Sequence, residues 1–407
     1  MLNLVDLPDD ILICILKFVN VEDLDNVSLV CERLAALVDR YFFLSMTLDV
    51  LMTCHRKKDS QHFLRTHDDD ISYHRRWKLH KNWIKGRYEE TMYFPHRIPY
   101  ASHIHLEKNW LYMTHGGQVR AHRRRRKDSL KRFPDMSYGS TRDPDITAFT
   151  KIGDTMLAGT MCGTILLFDP EYCSGINFLS QKIASVKEYL NSVDFRESIF
   201  ITTTNQTARL WRKEVELDMI LLENVHDLKQ AFKCVKISPV GERIAAGRYR
   251  DANCALKLID IETGTVQELN STSHAVYHIL WRDPNTLLTA NFDSTFRVFD
   301  IRSNSDAHIY EDPYDSSVYC LDYDDHFGVL CGMKYHGRVN LYDLRVTRRF
   351  VQMYYPSQMN SYGSPVYDIA SDASQLFVVT DRNLRVFNFN ADWATYRDYS
   401  NVFNFDL

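Results

Sequence analysis

Sixteen histidines and 53 acidic side chains give this 407-residue chain ample material for acid–base or metal chemistry, yet their spacing organises none of it. There is no GxSxG elbow, no P-loop, no GxGxxG after a strand, no HExxH and no active-site cysteine signature. The densest histidine cluster is His96, His103, His105, His115 and His122. His103 and His105 share one face of a strand, as a pair of zinc ligands can, but no cysteine or carboxylate completes a ligand spacing. The chain is therefore expected to hold no metal and no cofactor. His274 and Asp293 have the spacing of a structural hydrogen bond within one unit, and Asp381 reads as a turn-fixing residue of the same kind.

The elements that must position these residues repeat. From about residue 100 to 390 an alternating strand ends in an aromatic or aliphatic residue, usually followed by an acid. The anchors are His122, Phe168, Trp211, Ile259, Phe299, Tyr342 and Phe387, separated by 46, 43, 48, 40, 43 and 45 residues. A propeller blade of four short strands occupies roughly 40 to 45 residues, so the spacing predicts a seven-bladed β-propeller. Two further short β-rich runs precede each anchor, for example Val276-Tyr277-His278-Ile279-Leu280-Trp281 and Thr286-Leu287-Leu288-Thr289-Ala290 around the turn Asp283-Pro284-Asn285. Closing the ring needs one chain end as an outer strand. Thr91-Met92-Tyr93-Phe94 is the candidate, and the aromatic tail (Trp393, Tyr396, Tyr399, Phe403, Phe405) is its rival.

On a propeller the loops at the narrow mouth form the usual ligand face. There the sequence places Arg248, Arg250, Lys334, His336, Arg338 and Arg382, with Arg97 and Arg142 within reach. Converging arginines read acidic or phosphorylated segments by charge-assisted hydrogen bonds, and ordinary surface charge is the alternative for each. The basic run Arg120-x-x-Arg123-Arg124-Arg125-Arg126-Lys127 falls at the opposite rim. It reads as a solvated hairpin, with nuclear import or an acidic partner as its alternative.

Residues 1 to about 48 read as three helices. Pro8 opens the first, with Asp9 and Asp10 at the positive end of its dipole. Ile11, Ile15 and Phe18 form one apolar stripe, and Leu12, Leu16 and Val19 a second, a wider face than so small a unit needs for its own core. The second helix spans about Glu22 to Val30 and the third about Cys31 to Tyr41, with Leu24, Val27, Val30, Leu34, Leu37 and Val38 inward. Residues 49–90 form a charged, partly helical linker whose Trp77 and Trp83 anchor it on a neighbouring domain, and the propeller occupies 91–407.

Bulk properties agree with this plan. Apolar residues make 45% and charged residues 25% of the chain, as in ordinary folded domains. A net charge of −4 gives no general reason to expect nucleic acid or membrane binding. The first residues lack a basic n-region, no window has the apolar length of a membrane span, and nine scattered cysteines read as reduced thiols. The expected setting is cytosol or nucleus.

Leu7-Pro8-x-x-Ile11-Leu12-x-x-Ile15-Leu16-x-Phe18-Val19, then Asp23-Leu24 and Val30-Cys31-x-Arg33, resembles an F-box. Trp77-Lys78, Asn82-Trp83-x-x-Gly86 resembles the lead-in that F-box/WD-repeat proteins carry before their propeller. Asp315–Leu321, Tyr335–Arg345, Ser364–Tyr367 and Asn383–Phe387 resemble the dactylin type within that family. Leu34 stands where many F-boxes have Trp, and most units lack the full Trp-Asp ending. The resemblance implies a non-catalytic substrate receptor of an SCF-type (S-phase-kinase-associated adaptor, cullin, F-box) ubiquitin ligase. Leu7, Pro8, Ile11, Ile15, Phe18, Leu24 and Val30 would then dock on the adaptor, which bridges to cullin, while the propeller holds a protein substrate. The alternatives are a WD-repeat scaffold whose N-terminal helices bind another partner, and a propeller enzyme.

Overall fold

The computed structural model describes residues 4–57, 60–67, 71–93, 102–125, 129–169, 181–216, 219–249, 254–347, 349–356 and 364–391. Its N-terminal domain is built from α1 (Asp9–Leu16), α2 (Val21–Ser28) and α3 (Glu32–Leu37). α3 runs on through a π-helical turn, Val38–Phe43, so the third helical segment is longer than its sequence pattern indicates. Pro8 sits one residue before α1, and its carbonyl accepts from the amides of Ile11 and Leu12, each at 3.1 Å. The inward stripe of Leu12 and Leu16 packs with Leu24, Leu34, Leu37, Val38 and Phe43. Val30, expected inward, is exposed because α2 ends at Ser28 and Val30 lies in the turn beyond it. Arg33 closes the domain: its guanidinium donates to the carbonyls of Val5 and Leu7 and to the Asp9 carboxylate, tying the start of α1 to α3.

The linker holds two helices, α4 (Gln61–Leu64) and α5 (Tyr73–Lys85). Much of it is interior, against its charged composition: Val50, Leu51, Met52, Cys54, Ile71, Leu79, Trp83 and Tyr88 are buried. α5 belongs to two cores at once. Tyr73 and Trp77 pack on the N-terminal helices, whereas Leu79 and Trp83 enter the core of the last two blades. Ser72 caps the helix start, and Gly86 ends it at φ 62°, a left-handed position where a side chain would be strained.

Seven antiparallel sheets follow, six of four strands and one of five among the described residues. Strands a to d run from the channel outward. Strands c are Gln118–Arg125, Thr164–Phe168, Ala208–Glu216, Leu256–Asp260, Thr295–Asp300, Val339–Asp343 and Leu384–Asn388, so every predicted anchor falls on one. Blade 7 takes its outer strand from Glu89–Tyr93, paired antiparallel from Glu89↔Asn388 to Tyr93↔Leu384. The candidate strand thus closes the ring; Phe94 and the rival aromatic tail lie outside the described residues.

Adjacent blades are tied at the channel wall by side chains that accept backbone amides. Asp194 accepts from Ile237 at 2.8 Å, His278 Nδ1 from Leu321 at 3.1 Å, Asp322 from Ser371 at 2.7 Å and Asp368 from Ile104 at 2.9 Å. His278 can accept only while that nitrogen is unprotonated, and burial pulls its pKa from 6.5 down to about 4. Burial holds His122 at about 4 as well. For groups with a depressed folded pKa, protonation favours the unfolded chain. Their contribution is complete above pH 6.5 and is lost as the pH falls toward 4. The urea midpoint should therefore drop between pH 7.5 and 5, on the order of 1 kcal/mol per histidine. A flat profile across that range would contradict this account of the ring.

Candidate functional site: two faces at opposite rims

The first face lies on the N-terminal helices. Ile11 and Ile15 on the outer stripe of α1 are 48% and 40% exposed, and Phe18, Leu29 and Val30 are 92%, 82% and 68% exposed. Leu4, Val5 and Val21 flank them, also exposed. Clustered apolar side chains left in water mark an interaction surface. Pro8 is exposed at the head of α1, and Leu7 is half-buried with its carbonyl held by Arg33 at 2.8 Å. Leu24, predicted as a docking residue, lies in the three-helix core, so it supports the face from beneath.

The linker fixes this domain to one rim of the propeller, the rim of the a–b and c–d turns. Met52 N donates to Asp324 at 2.9 Å and Arg345 to the Asp49 carbonyl at 2.9 Å. Trp83 Nε1 donates to the Ala373 carbonyl at 3.0 Å, and Asn82 to that of Phe389 at 2.7 Å. Arg124, from the basic run, is buried here rather than solvated. It pairs with Asp372 and donates to the Arg65 carbonyl at 2.6 Å, joining blade 1, blade 7 and the linker. Arg120 is engaged by Gln118, while Arg123 and Arg125 are exposed; Arg126 and Lys127 fall outside the described residues.

The second face is the other rim, where b–c loops meet the starts of the inner strands. Phe292 N bonds the Ala275 carbonyl there, Lys334 N that of Ser317, and Val276 N that of Arg248. In five blades the inner strand begins with a register shift that leaves one residue unpaired: Thr147, Asn191, Tyr277, Tyr319 and Tyr367. A β-bulge re-aims the side chain it carries. These five, with Lys233 at the corresponding place in blade 4, line one cavity of about 450 Å³ that follows the channel. The mouth is thus divided into a polar half (Thr147, Asn191, Lys233) and an aromatic half (Tyr277, Tyr319, Tyr367).

The aromatic half extends outward. Ring centroids of Tyr277 and Tyr319 are 5.0 Å apart, Tyr319 and Tyr367 6.4 Å, Tyr249 and Tyr277 5.9 Å, and Tyr277 and Phe292 6.1 Å. Tyr249 and Phe292 are about half exposed. Lys334 stands beside them with its Nζ 5.0 Å from the Tyr335 ring centroid, and a hydrogen bond to Tyr335 raises its pKa. Burial lowers that of Lys233. At the far end of the cavity the cations are paired: Arg65 with Asp322 at 3.2 Å, Lys236 with Asp194 at 3.0 Å, and Lys151 with Glu107.

The predicted substrate-binding residues scatter. Lys334 is on the mouth, with half-buried Arg248 next to Tyr249. Arg338 is fully buried, ion-paired with Asp312 at 2.7 Å beneath the Tyr314 ring, and His336 is buried in a turn at φ 64°. Both are framework residues. Arg382 lies 3.6 Å from Asp381, which also accepts from Ser364 at 2.8 Å, the turn-fixing role expected of that aspartate. Arg142 is exposed on the loop before blade 2; Arg97 and Arg250 lie outside the described residues. Asp293 is engaged by Thr295 and Arg297, whereas its expected partner His274 is exposed. His103 bonds the Thr147 carbonyl at 3.1 Å and His122 that of Lys131 at 3.0 Å. Among the described residues no three His, Cys, Asp or Glu converge as metal ligands. Sequence reasoning missed the three tyrosines. Their signal was a Val-Tyr pair opening three successive inner strands: Val276-Tyr277, Val318-Tyr319 and Val366-Tyr367.

Comparison with known proteins bears on both faces. Residues 4–45 match the F-box domain family. Over 395 residues the chain is 23% identical to F-box/WD repeat-containing protein 4 of Homo sapiens, covering 94% of this chain and 92% of that protein. The Mus musculus protein of the same name matches equally, at 23% over 395 residues. Among solved structures, the WD40 β-propeller domain of Doa1 superimposes with a TM-score of 0.56 at 12% identity, covering 74% of this chain and 96% of that one. The computationally designed Ika8 protein gives a TM-score of 0.52 at 13% identity, covering 74% and 100%. The chain is homologous to F-box/WD repeat-containing protein 4, and its architecture is an F-box domain followed by a seven-bladed WD40 propeller.

Proposed function

We propose that this F-box/WD40 propeller protein is the substrate-recognition subunit of an SCF-type ubiquitin ligase, with the F-box docking on the S-phase-kinase-associated adaptor and the propeller holding the substrate. One observation carries the reading: Ile11, Ile15, Phe18, Leu29 and Val30 are exposed on a domain that matches the F-box family, and α5 locks that domain to the propeller. F-box domains generally bind this adaptor, and a helix laid against an apolar groove is the physical form such contact takes. The subunit itself would be non-catalytic. Its contribution is effective concentration: a substrate on one rim is held at a fixed position relative to machinery recruited at the other. The test is co-expression with the adaptor followed by gel filtration. A one-to-one complex supports the receptor, whereas separate elution of two folded proteins favours the scaffold alternative.

A further inference from the structure

We propose that the channel mouth binds an extended acidic peptide segment that lays one aromatic or aliphatic anchor on the floor formed by Tyr277, Tyr319, Tyr367, Tyr249 and Phe292, with its carboxylates toward Lys334 and Lys233. The inference rests on the receptor reading and names the substrate class of that same face. Neighbouring rings lie 5.0 to 6.4 Å apart, which is mutual contact. They form one connected aromatic cluster, with Tyr277 inclined 57° to Tyr319 and 69° to Phe292. Aromatic side chains on such a surface supply much contact area at little entropic cost, which suits a central anchor.

Charge decides what surrounds the anchor. Lys334 stands at the edge of the floor, and Lys233 lines the cavity on its polar side. Two of the guanidiniums expected here are engaged by neighbouring carboxylates, Arg338 by Asp312 and Arg382 beside Asp381, and Arg248 stays half-buried next to Tyr249. Beside Arg248 the mouth offers the separate ammonium groups of Lys334 and Lys233, which suit carboxylates. Single-stranded nucleic acid also stacks on aromatic platforms, but it needs a continuous basic groove. Asp293, Asp315 and Asp381 among the loops of this rim interrupt any such groove.

The experiment is selection of a random dodecapeptide phage library on the full chain. Enriched peptides, labelled with fluorescein, are then titrated by anisotropy. Acidic sequences around one aromatic or aliphatic residue are expected, with binding weakened as salt rises. Lys334→Glu, at a half-buried side chain of the mouth, and the pair Tyr249→Ala and Phe292→Ala, both half exposed, should each weaken binding at least about tenfold without unfolding the chain. No enrichment, enrichment of basic or purely polar peptides, indifference to these substitutions, or competition by an oligouridylate dodecamer would overturn the proposal. Adaptor binding is read on the same preparations. Its loss with peptide binding intact removes the receptor reading alone, and the reverse result removes this inference alone.

Discussion

Replacing Ile11, Ile15 and Phe18 together by alanine is expected to weaken adaptor binding at least 100-fold, to an affinity calorimetry no longer detects at micromolar protein, and to leave the chain folded. None of the three belongs to the helical core, which consists of Leu12, Leu16, Leu24, Leu34, Leu37, Val38 and Phe43. Alanine is also the best helix former, so α1 keeps its conformation. Each side chain, once buried in a complex, contributes about 1.5–3 kcal/mol, and three together exceed the roughly 2.7 kcal/mol that corresponds to 100-fold. Circular dichroism should be unchanged. Wild-type affinity in the variant would place the adaptor contact elsewhere and remove the argument from this face.

The second large effect belongs to Trp83. Its indole stacks on Phe389 at 3.5 Å between centroids and meets Tyr354 edge-on at 5.4 Å. Its Nε1 donates to the Ala373 carbonyl, and its own carbonyl accepts from the Tyr354 hydroxyl at 2.8 Å. Trp83→Ala leaves a large cavity in the core between the last two blades and strips a buried carbonyl of its donor. A loss of about 3–5 kcal/mol in urea unfolding is expected. Because α5 also carries Tyr73 and Trp77 into the F-box core, limited proteolysis should cut the linker faster in the variant. A loss under about 1 kcal/mol would mean that the helix does not couple the two domains as described.

The propeller was legible because each blade repeats a local pattern: an alternating strand, a turn and an anchor that recurs with the length of one blade. The F-box was legible because Leu7, Pro8 and Arg33 have distinct jobs: Pro8 heads α1, where its carbonyl accepts from Ile11 and Leu12, and Arg33 clamps the Leu7 carbonyl to the Asp9 carboxylate. What escaped was non-local. Arg338 reads as surface charge in its own segment and is buried only because Asp312, twenty-six residues earlier, lies against it. Val50, Leu51 and Met52 sit in a charged stretch, and their burial follows from the a–b turn of blade 6, whose Asp324 receives the Met52 amide. The tyrosines of the mouth were hidden for a third reason. A bulge decides which way Tyr277, Tyr319 and Tyr367 face, and its position depends on the neighbouring strand rather than on composition.

The most direct test of the receptor reading is hydrogen exchange on the full chain with and without the SCF adaptor. Adaptor binding should slow exchange across residues 4–30 and leave the amides around Tyr277, Tyr319 and Tyr367 unchanged, since the two faces occupy opposite rims. No protection in residues 4–30, or protection centred on the channel mouth, would contradict it.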